Sequence, residues 1–424
     1  MVDLLRFATA GSVDDGKSTL IGRLLYDSKS VFADQLEAVE RTSADRGNAH
    51  TDLALLTDGL RAEREQGITI DVAYRYFSTA RRSFIVADTP GHVQYTRNMV
   101  TGASTADLAL VLVDARKGVV EQTRRHASLS ALLRVPHLVL VVNKMDLIDF
   151  DQAGYDAVVS DFKAFCDGAH LDIPDVQAVP VAALHGDNVV DRSDKTPWYD
   201  GPALLELLET VHVDRTGAAL RGARFPVQYV LRPQSLAHPD YRGYAGTLAT
   251  GTLRVGDAVT ALPSGRSTTV AGIDTFDGPL EVAVAGQAVT VRLAAEIDVS
   301  RGDMLVAADD LPELTASFDA TICWMSETPL GTGQRVLVKH TTRTVKAIVA
   351  QVHDRLDVTT QLHEPATSLA LNDIGRITLR TAQPLAVDQY ATDRRTGAFI
   401  TIDEATGTTT GAGMVGSPLE TNGS

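Results

Sequence analysis

At 424 residues with 44% hydrophobic side chains, the chain is long enough for two or three domains with filled cores. A net charge of −15 argues against a general nucleic-acid binder, whose footprint is basic. Cys166 and Cys323 stand in no metal-ligand or redox spacing, which places both as buried thiols in a reducing compartment. No uninterrupted apolar run reaches membrane-spanning length, and no signal peptide fits before Gly11, so a soluble cytoplasmic protein is expected.

In chain order, the apolar run Leu5 to Ala10 predicts a buried strand. It leads into Gly11-Ser12-Val13-Asp14-Asp15-Gly16-Lys17-Ser18-Thr19, which fits the phosphate-loop pattern. Gly11 and Gly16 allow torsions closed to other residues, so successive N–H groups can turn inward around an anion. Lys17 would set an ammonium against the outer phosphates, and the Ser18 hydroxyl would coordinate Mg²⁺. Thr19 to Tyr26 has helical spacing, which completes the strand–loop–helix order. Asp14 and Asp15 are unusual here: they would repel phosphate unless they face Mg²⁺, a monovalent cation or solvent. Neither is assigned a catalytic role.

A polar stretch from Asp27 to Arg64 holds helical pieces around 31–41 and 53–65, and Gly67-Ile68-Thr69-Ile70-Asp71 breaks the pattern. Strands follow at 72–77 and 83–87, the second running into Asp88-Thr89-Pro90-Gly91-His92. Leu108 to Asp114 and His137 to Asn143 are nearly all apolar, as strands buried on both faces should be. Glu121 to Leu133 predicts a helix and Val176 to Val181 a strand; Gly201-Pro202 opens a last helix. Residues 1–215 therefore read as a mostly parallel α/β domain. Beyond Arg215 short β-branched runs punctuated by Gly and Asp predict two all-β domains, barrels or sandwiches and read as barrels, at 216–311 and 312–405. Residues 406–424, rich in Gly, Thr and Ser, read as a tail whose end is disordered. There is no internal repeat and no second phosphate loop.

Four further segments fall at predicted strand ends, where ligands bind in open α/β sheets. Asp88 can hold Mg²⁺ through a water, and the Gly91 N–H can sense a γ-phosphate across Thr89 and Pro90. In Asn143-Lys144-Met145-Asp146, the Asp146 carboxylate can accept from guanine N1–H and N2–H₂, a donor pair adenine lacks. Asn143 would tie base and loops together, while the Lys144 stem packs on the ring face. Thr69 is placed to complete the Mg²⁺ shell and report the γ-phosphate; its other reading is a β-branched residue starting a strand. His92 is placed to orient the attacking water, or else is a loop histidine bonded to backbone. Ala182-Ala183-Leu184 can offer a backbone N–H to guanine O6. Together these five elements indicate a P-loop GTPase that uses GTP and Mg²⁺.

A GTPase followed by two β-domains resembles the translation-factor family, elongation factor Tu and its relatives. GSVDDGKSTLIGRLLYDSK, DLALLTDGLRAEREQGITIDVAYRYFST, the stretch from Asp88 to His126, PWYDGPALLELLE and IDEATGTTTGAGMV are similar to large GTP-binding subunits of bacterial sulfate adenylyltransferase. Asp15 is the sharpest discriminator, since elongation factors typically carry His there. The resemblance implies a heterodimer: a separate small catalytic subunit would transfer adenylyl from ATP to sulfate. This chain would hydrolyse GTP to drive formation of adenosine 5′-phosphosulfate and pyrophosphate. The family's last guanine loop usually begins Ser-Ala-Leu, so Ala182 lacks a bracing hydroxyl and a loss of about 1 kcal/mol in nucleotide binding is expected. The single phosphate loop argues against a fused kinase in this stretch. One alternative is a translational GTPase that delivers aminoacyl-tRNA, which Asp15 fits less well. A purely regulatory GTP-binding module is another, against which His92 argues.

Overall fold

A computed structural model of the chain describes residues 3–29, 36–37, 39, 41–43, 51, 53–56, 72–91, 96–169, 171, 176–213, 221–233, 241–357 and 360–417. The chain forms two compact units, Met1–Val213 with Asp357–Leu362, and Asp214–Leu356 with His363–Ser424. Among the described residues no helix is long and apolar enough to cross a membrane.

The first unit is built on six strands: β1 (Asp3–Ala10), β2 (Ala73–Ser78), β3 (Arg82–Asp88), β4 (Leu108–Asp114), β5 (His137–Asn143) and β6 (Val176–Pro180). Their order is β2-β3-β1-β4-β5-β6, and every pair is parallel except β2–β3. The apolar composition of β4 explains its central place, because all seven of its residues are buried. Helices α1 (Lys17–Asp27), α2 (Thr96–Ala103), α3 (Glu121–Leu132), α4 (Gln152–Gly168) and α5 (Leu204–Thr210) connect or follow the strands. From α1, Leu20, Ile21 and Leu24 are fully buried in one core with Leu5, Phe7, Phe84 and Leu110. Each such side chain contributes roughly 1.5–3 kcal/mol. The Phe77 and Phe84 rings stack at 4.5 Å, which fixes the β2–β3 hairpin against that core. Pro202 lies before the α5 N-cap, Ala203, rather than in the first turn.

Parallel order places the ends of β1, β3, β4 and β5 on one edge. Thr9 pairs with Asp88 across β1–β3, and Asp114 with Asn143 across β4–β5. The predicted motifs therefore meet, although they lie far apart in sequence.

The second unit contains two antiparallel six-strand barrels, each with its own core. The first closes where Ala258–Leu262 pairs with Arg266–Thr275, the second where Arg335–His340 pairs with Arg343–Leu356. Residues 409–415, read from sequence as part of a tail, instead form a strand between Ala398–Ile402 and Glu313–Trp324. The glycines that suggested a tail are required by packing. A Cβ on Gly413 would come 2.1 Å from the Phe399 ring, and one on Gly411 would come 2.8 Å from Thr401 Oγ1. Residues 418–424 lie outside the described residues.

Candidate nucleotide-binding site

The phosphate loop leaves β1 at Gly11 and enters α1 through Gly16, whose φ of 90° and ψ of 28° are left-handed. Asp14 also has positive φ, 69°, a conformation Asp tolerates better than most residues. Close approach matters as much as torsion. A Cβ on Gly16 would lie 2.5 Å from Asn143 Nδ2, and one on Gly91 would lie 2.6 Å from Lys17 Nζ. These glycines keep a cradle open.

Lys17 is 7% exposed and donates to the carbonyls of Gly11 (2.9 Å) and Ser12 (3.0 Å). Among the described residues those neutral carbonyls are its only hydrogen-bond acceptors. Burial pushes its amine below the usual lysine range, against the pull of Asp88, Asp15 and Asp14. Such a cation is suited to a polyanion. Ser18 sits half-buried in the first turn of α1 and Thr19 beside it, and Val13 occupies the loop tip. Ser12 Oγ is buried with no hydrogen-bond partner among the described residues.

Asp15 is 2% exposed, so it does not face solvent. Its Oδ2 accepts the Ser12 N–H at 2.6 Å, and its own N–H returns to the Ser12 carbonyl at 3.3 Å. Burial pushes its carboxyl up, while the Ser12 hydrogen bond and nearby Lys17 pull it down.

Asp88, 2% exposed at the end of β3, accepts the Thr9 hydroxyl at 3.1 Å. The Thr89 hydroxyl donates to the Thr9 carbonyl, so two threonines lock the start of the Thr89-Pro90-Gly91 turn to β1. Ser18 and Asp88 supply the oxygen donors that a hard divalent cation takes. Thr69 and His92 lie outside the described residues.

At the base end, Asn143 joins three loops. Its Nδ2 donates to the Asp15 carbonyl (2.8 Å) and its Oδ1 accepts the Ala183 N–H (3.0 Å). The sequence reading left that Ala183 N–H for guanine O6; in this conformation Asn143 holds it, and Leu184 follows as the next residue of the loop. Lys144 donates to the Asp14 carbonyl and to Asp114 Oδ2 (3.0 Å), which bends its stem across the site. Asp146 sits on the short turn Met145–Ile148, with His185 Nε2 3.7 Å from its carboxylate.

Three contributors were not foreseen. Asp114 is buried, which works against its charge, yet hydrogen bonds from Arg116 and Lys144 hold its carboxyl well below the usual range. A lone carboxylate closing an otherwise apolar strand beside Asn143 was the available signal. Arg23 donates to the Ala183 (3.2 Å) and Leu184 carbonyls. That brace stands where the absent hydroxyl at Ala182 was expected to leave the loop loose. Thr9, inside an apolar strand, left no signal.

A family described as "Elongation factor Tu GTP binding domain" matches residues 2–214, and "GTP-eEF1A C-terminal domain-like" matches 317–416. The "Bifunctional enzyme CysN/CysC" of Mycobacterium tuberculosis is 59% identical over 420 residues, covering 98% of this chain and 67% of that protein. "Sulfate adenylyltransferase subunit 1" of Bacteroides fragilis is 54% identical over 415 residues, covering 97% of this chain and 86% of its own length. The protein of that name from Alteromonas mediterranea is 52% identical over 415 residues, with 97% and 87% covered.

Proposed function

Because the chain belongs to the sulfate adenylyltransferase subunit 1 family and carries an elongation factor Tu-type GTP-binding domain, we propose that it is the GTP-hydrolysing subunit of ATP sulfurylase. It couples GTP hydrolysis to formation of adenosine 5′-phosphosulfate and pyrophosphate from ATP and sulfate. Adenylyl transfer takes place on a separate small subunit, with which this chain forms a cytoplasmic heterodimer. One observation carries the nucleotide reading: Asn143 links the phosphate loop to the 182–184 loop, at 2.8 and 3.0 Å. A single side chain thereby sets the spacing between a phosphate cradle and a base pocket.

In this reading residues 11–19 wrap the phosphates, with Lys17 turning from its carbonyl partners toward the β- and γ-phosphates. Ser18 and, through a water, Asp88 would hold Mg²⁺, which would supply neutralisation of phosphate charge; Thr69 would complete that shell. Asp146 selects guanine, a backbone N–H of the 182–184 loop would serve O6, and the Gly91 N–H would meet the γ-phosphate. His92 orients the attacking water. The aminoacyl-tRNA alternative shares the GTPase domain, but the relatives named above favour sulfate activation.

The test is a sulfate-dependent GTPase assay on the chain purified with and without its small subunit. Slow GTP hydrolysis alone, accelerated by the small subunit with ATP and sulfate, is expected. Formation of adenosine phosphosulfate by the purified chain alone would overturn the division of labour.

A further inference from the structure

Asp15 is unlike the other acidic groups of the site. Each of its polar groups is engaged within the nucleotide loops: the carboxylate by Ser12 N–H (2.6 Å), the N–H by the Ser12 carbonyl (3.3 Å), and the carbonyl by Asn143 Nδ2 (2.8 Å). Lys17 donates to the Ser12 carbonyl, in the next peptide group, at 3.0 Å. Ser12 is therefore fixed from both sides by residues of its own loop. The carboxylate also lies against Gly11, where an added Cβ would stand 3.3 Å from Oδ2.

Two consequences follow from chemistry. A loop closed by its own side chain need not be ordered by the ligand, so the ordering cost is met on folding and association is fast. A buried negative charge beside a phosphate cradle repels the phosphate that the cradle holds, and burial strengthens that repulsion. An asparagine would keep the acceptor and remove the repulsion. The carboxylate does both.

We propose that Asp15 is a positioning residue that keeps the phosphate loop in its anion-ready shape without nucleotide and, through its charge, hastens release of the bound guanine nucleotide. The inference rests on the GTP-binding reading above and goes beyond it: exchange is built into this loop.

The test is stopped-flow binding and chase of a fluorescent GDP analogue, using the full chain and the variants Asp15→Asn and Asp15→Ala. For Asp15→Asn, which retains the acceptor for Ser12, an off-rate about tenfold slower with an unchanged on-rate is expected, the size of one modest charge interaction. For Asp15→Ala, which frees Ser12, the on-rate is expected to fall about tenfold as loop ordering moves into the binding step. An unchanged or faster off-rate in Asp15→Asn, or an unchanged on-rate in Asp15→Ala, overturns the proposal while leaving GTP binding intact. Absence of GDP binding by the wild-type chain would instead overturn the nucleotide reading, and this inference with it.

Discussion

Lys17 in the α/β unit and Arg224 in the barrel unit are both buried cations, 7% and 5% exposed, yet their surroundings differ in kind. Arg224 clasps Asp388 with two hydrogen bonds (3.0 and 3.1 Å), donates to the Asp310 carbonyl (2.7 Å) and lies 3.5 Å from the Asp310 carboxylate. Burial works against its charge, but those carboxylates hold it above the usual arginine range. Lys17 finds only neutral carbonyls among the described residues, and burial lowers its amine. One cation is neutralised by the protein and is structural. The other hydrogen-bonds only to carbonyls among the described residues, and the pull of Asp88, Asp15 and Asp14 does not offset its burial, which suits it to an anionic ligand. The Arg224 network joins the two barrels, together with Arg343–Asp303 at 3.1 Å and the Arg395 hydrogen bond to the Ala249 carbonyl at 3.0 Å.

The largest effect that could break this contrast belongs to Arg224→Met. It leaves the largely buried Asp388 carboxylate without its charged partner, so urea unfolding is expected to show a loss of about 3–5 kcal/mol. GTP affinity, measured by calorimetry, should stay within about twofold of the wild type, because the network lies outside the nucleotide unit. A stable Arg224→Met protein would mean that the ion pair contributes only specificity.

Lys17→Met is the mirror experiment. GTP binding is expected to weaken by about 2–5 kcal/mol, the range for truncating one member of a buried charge pair. Nucleotide-free stability should hold or rise, since burial of the charge outweighs the pull of Asp88, Asp15 and Asp14 and that desolvation cost disappears. If the nucleotide-free variant instead lost as much stability as Arg224→Met, the contrast between the two cations would collapse.

That contrast also marks what could be read from sequence. The strand–loop–helix order around residues 11–19 and the place of Asn143-Lys144-Met145-Asp146 at a strand end were legible because the signals are local: glycine for torsion, apolar runs for the strands. The six-strand order was foreseeable in class because β4 and β5 are apolar on both faces. Thr9 and Arg23 were not legible, since their roles arise from strand register or helix docking across distant segments, and Asp114 left only the signal of a lone carboxylate closing an apolar strand. Composition misled at 409–415, which read as part of a tail but forms a strand, with Gly413 packed under Phe399 and Gly411 against Thr401. Arg224 lies at the start of a strand, and only the folded barrels reveal its two acidic neighbours.

Asp146→Asn comes next in size and probes the base end of the site. Replacing the carboxylate removes two charge-assisted acceptors, each worth about 1.5–3 kcal/mol, so GTP should bind about 100-fold or more weakly. Xanthosine triphosphate, which presents a carbonyl where guanine has its amino group, should gain affinity. Competition against a fluorescent guanine nucleotide reads both. An unchanged preference would refute the assignment of Asp146 to the base, whereas Lys17→Met should weaken both nucleotides alike because it acts on phosphate.

The smallest effect is expected at Ala182. The sequence implied a missing hydroxyl and a loosened loop, with a deficit of about 1 kcal/mol. The folded chain supplies other braces. Arg23 holds the Ala183 and Leu184 carbonyls, Asn143 holds the Ala183 N–H at 3.0 Å, and Ala182 itself pairs with Asp187. Ala182 is fully buried, so a serine hydroxyl there needs a partner of its own to be stabilising. Ala182→Ser should therefore tighten GTP by less than about 1 kcal/mol, under fivefold in calorimetry. Arg23→Ala should weaken it by more than that, because two carbonyls lose a charged donor at once. A tenfold gain from Ala182→Ser beside a neutral Arg23→Ala would show that the hydroxyl, and not the arginine, sets the rigidity of this loop. Neutral hydrogen bonds would then govern the base end.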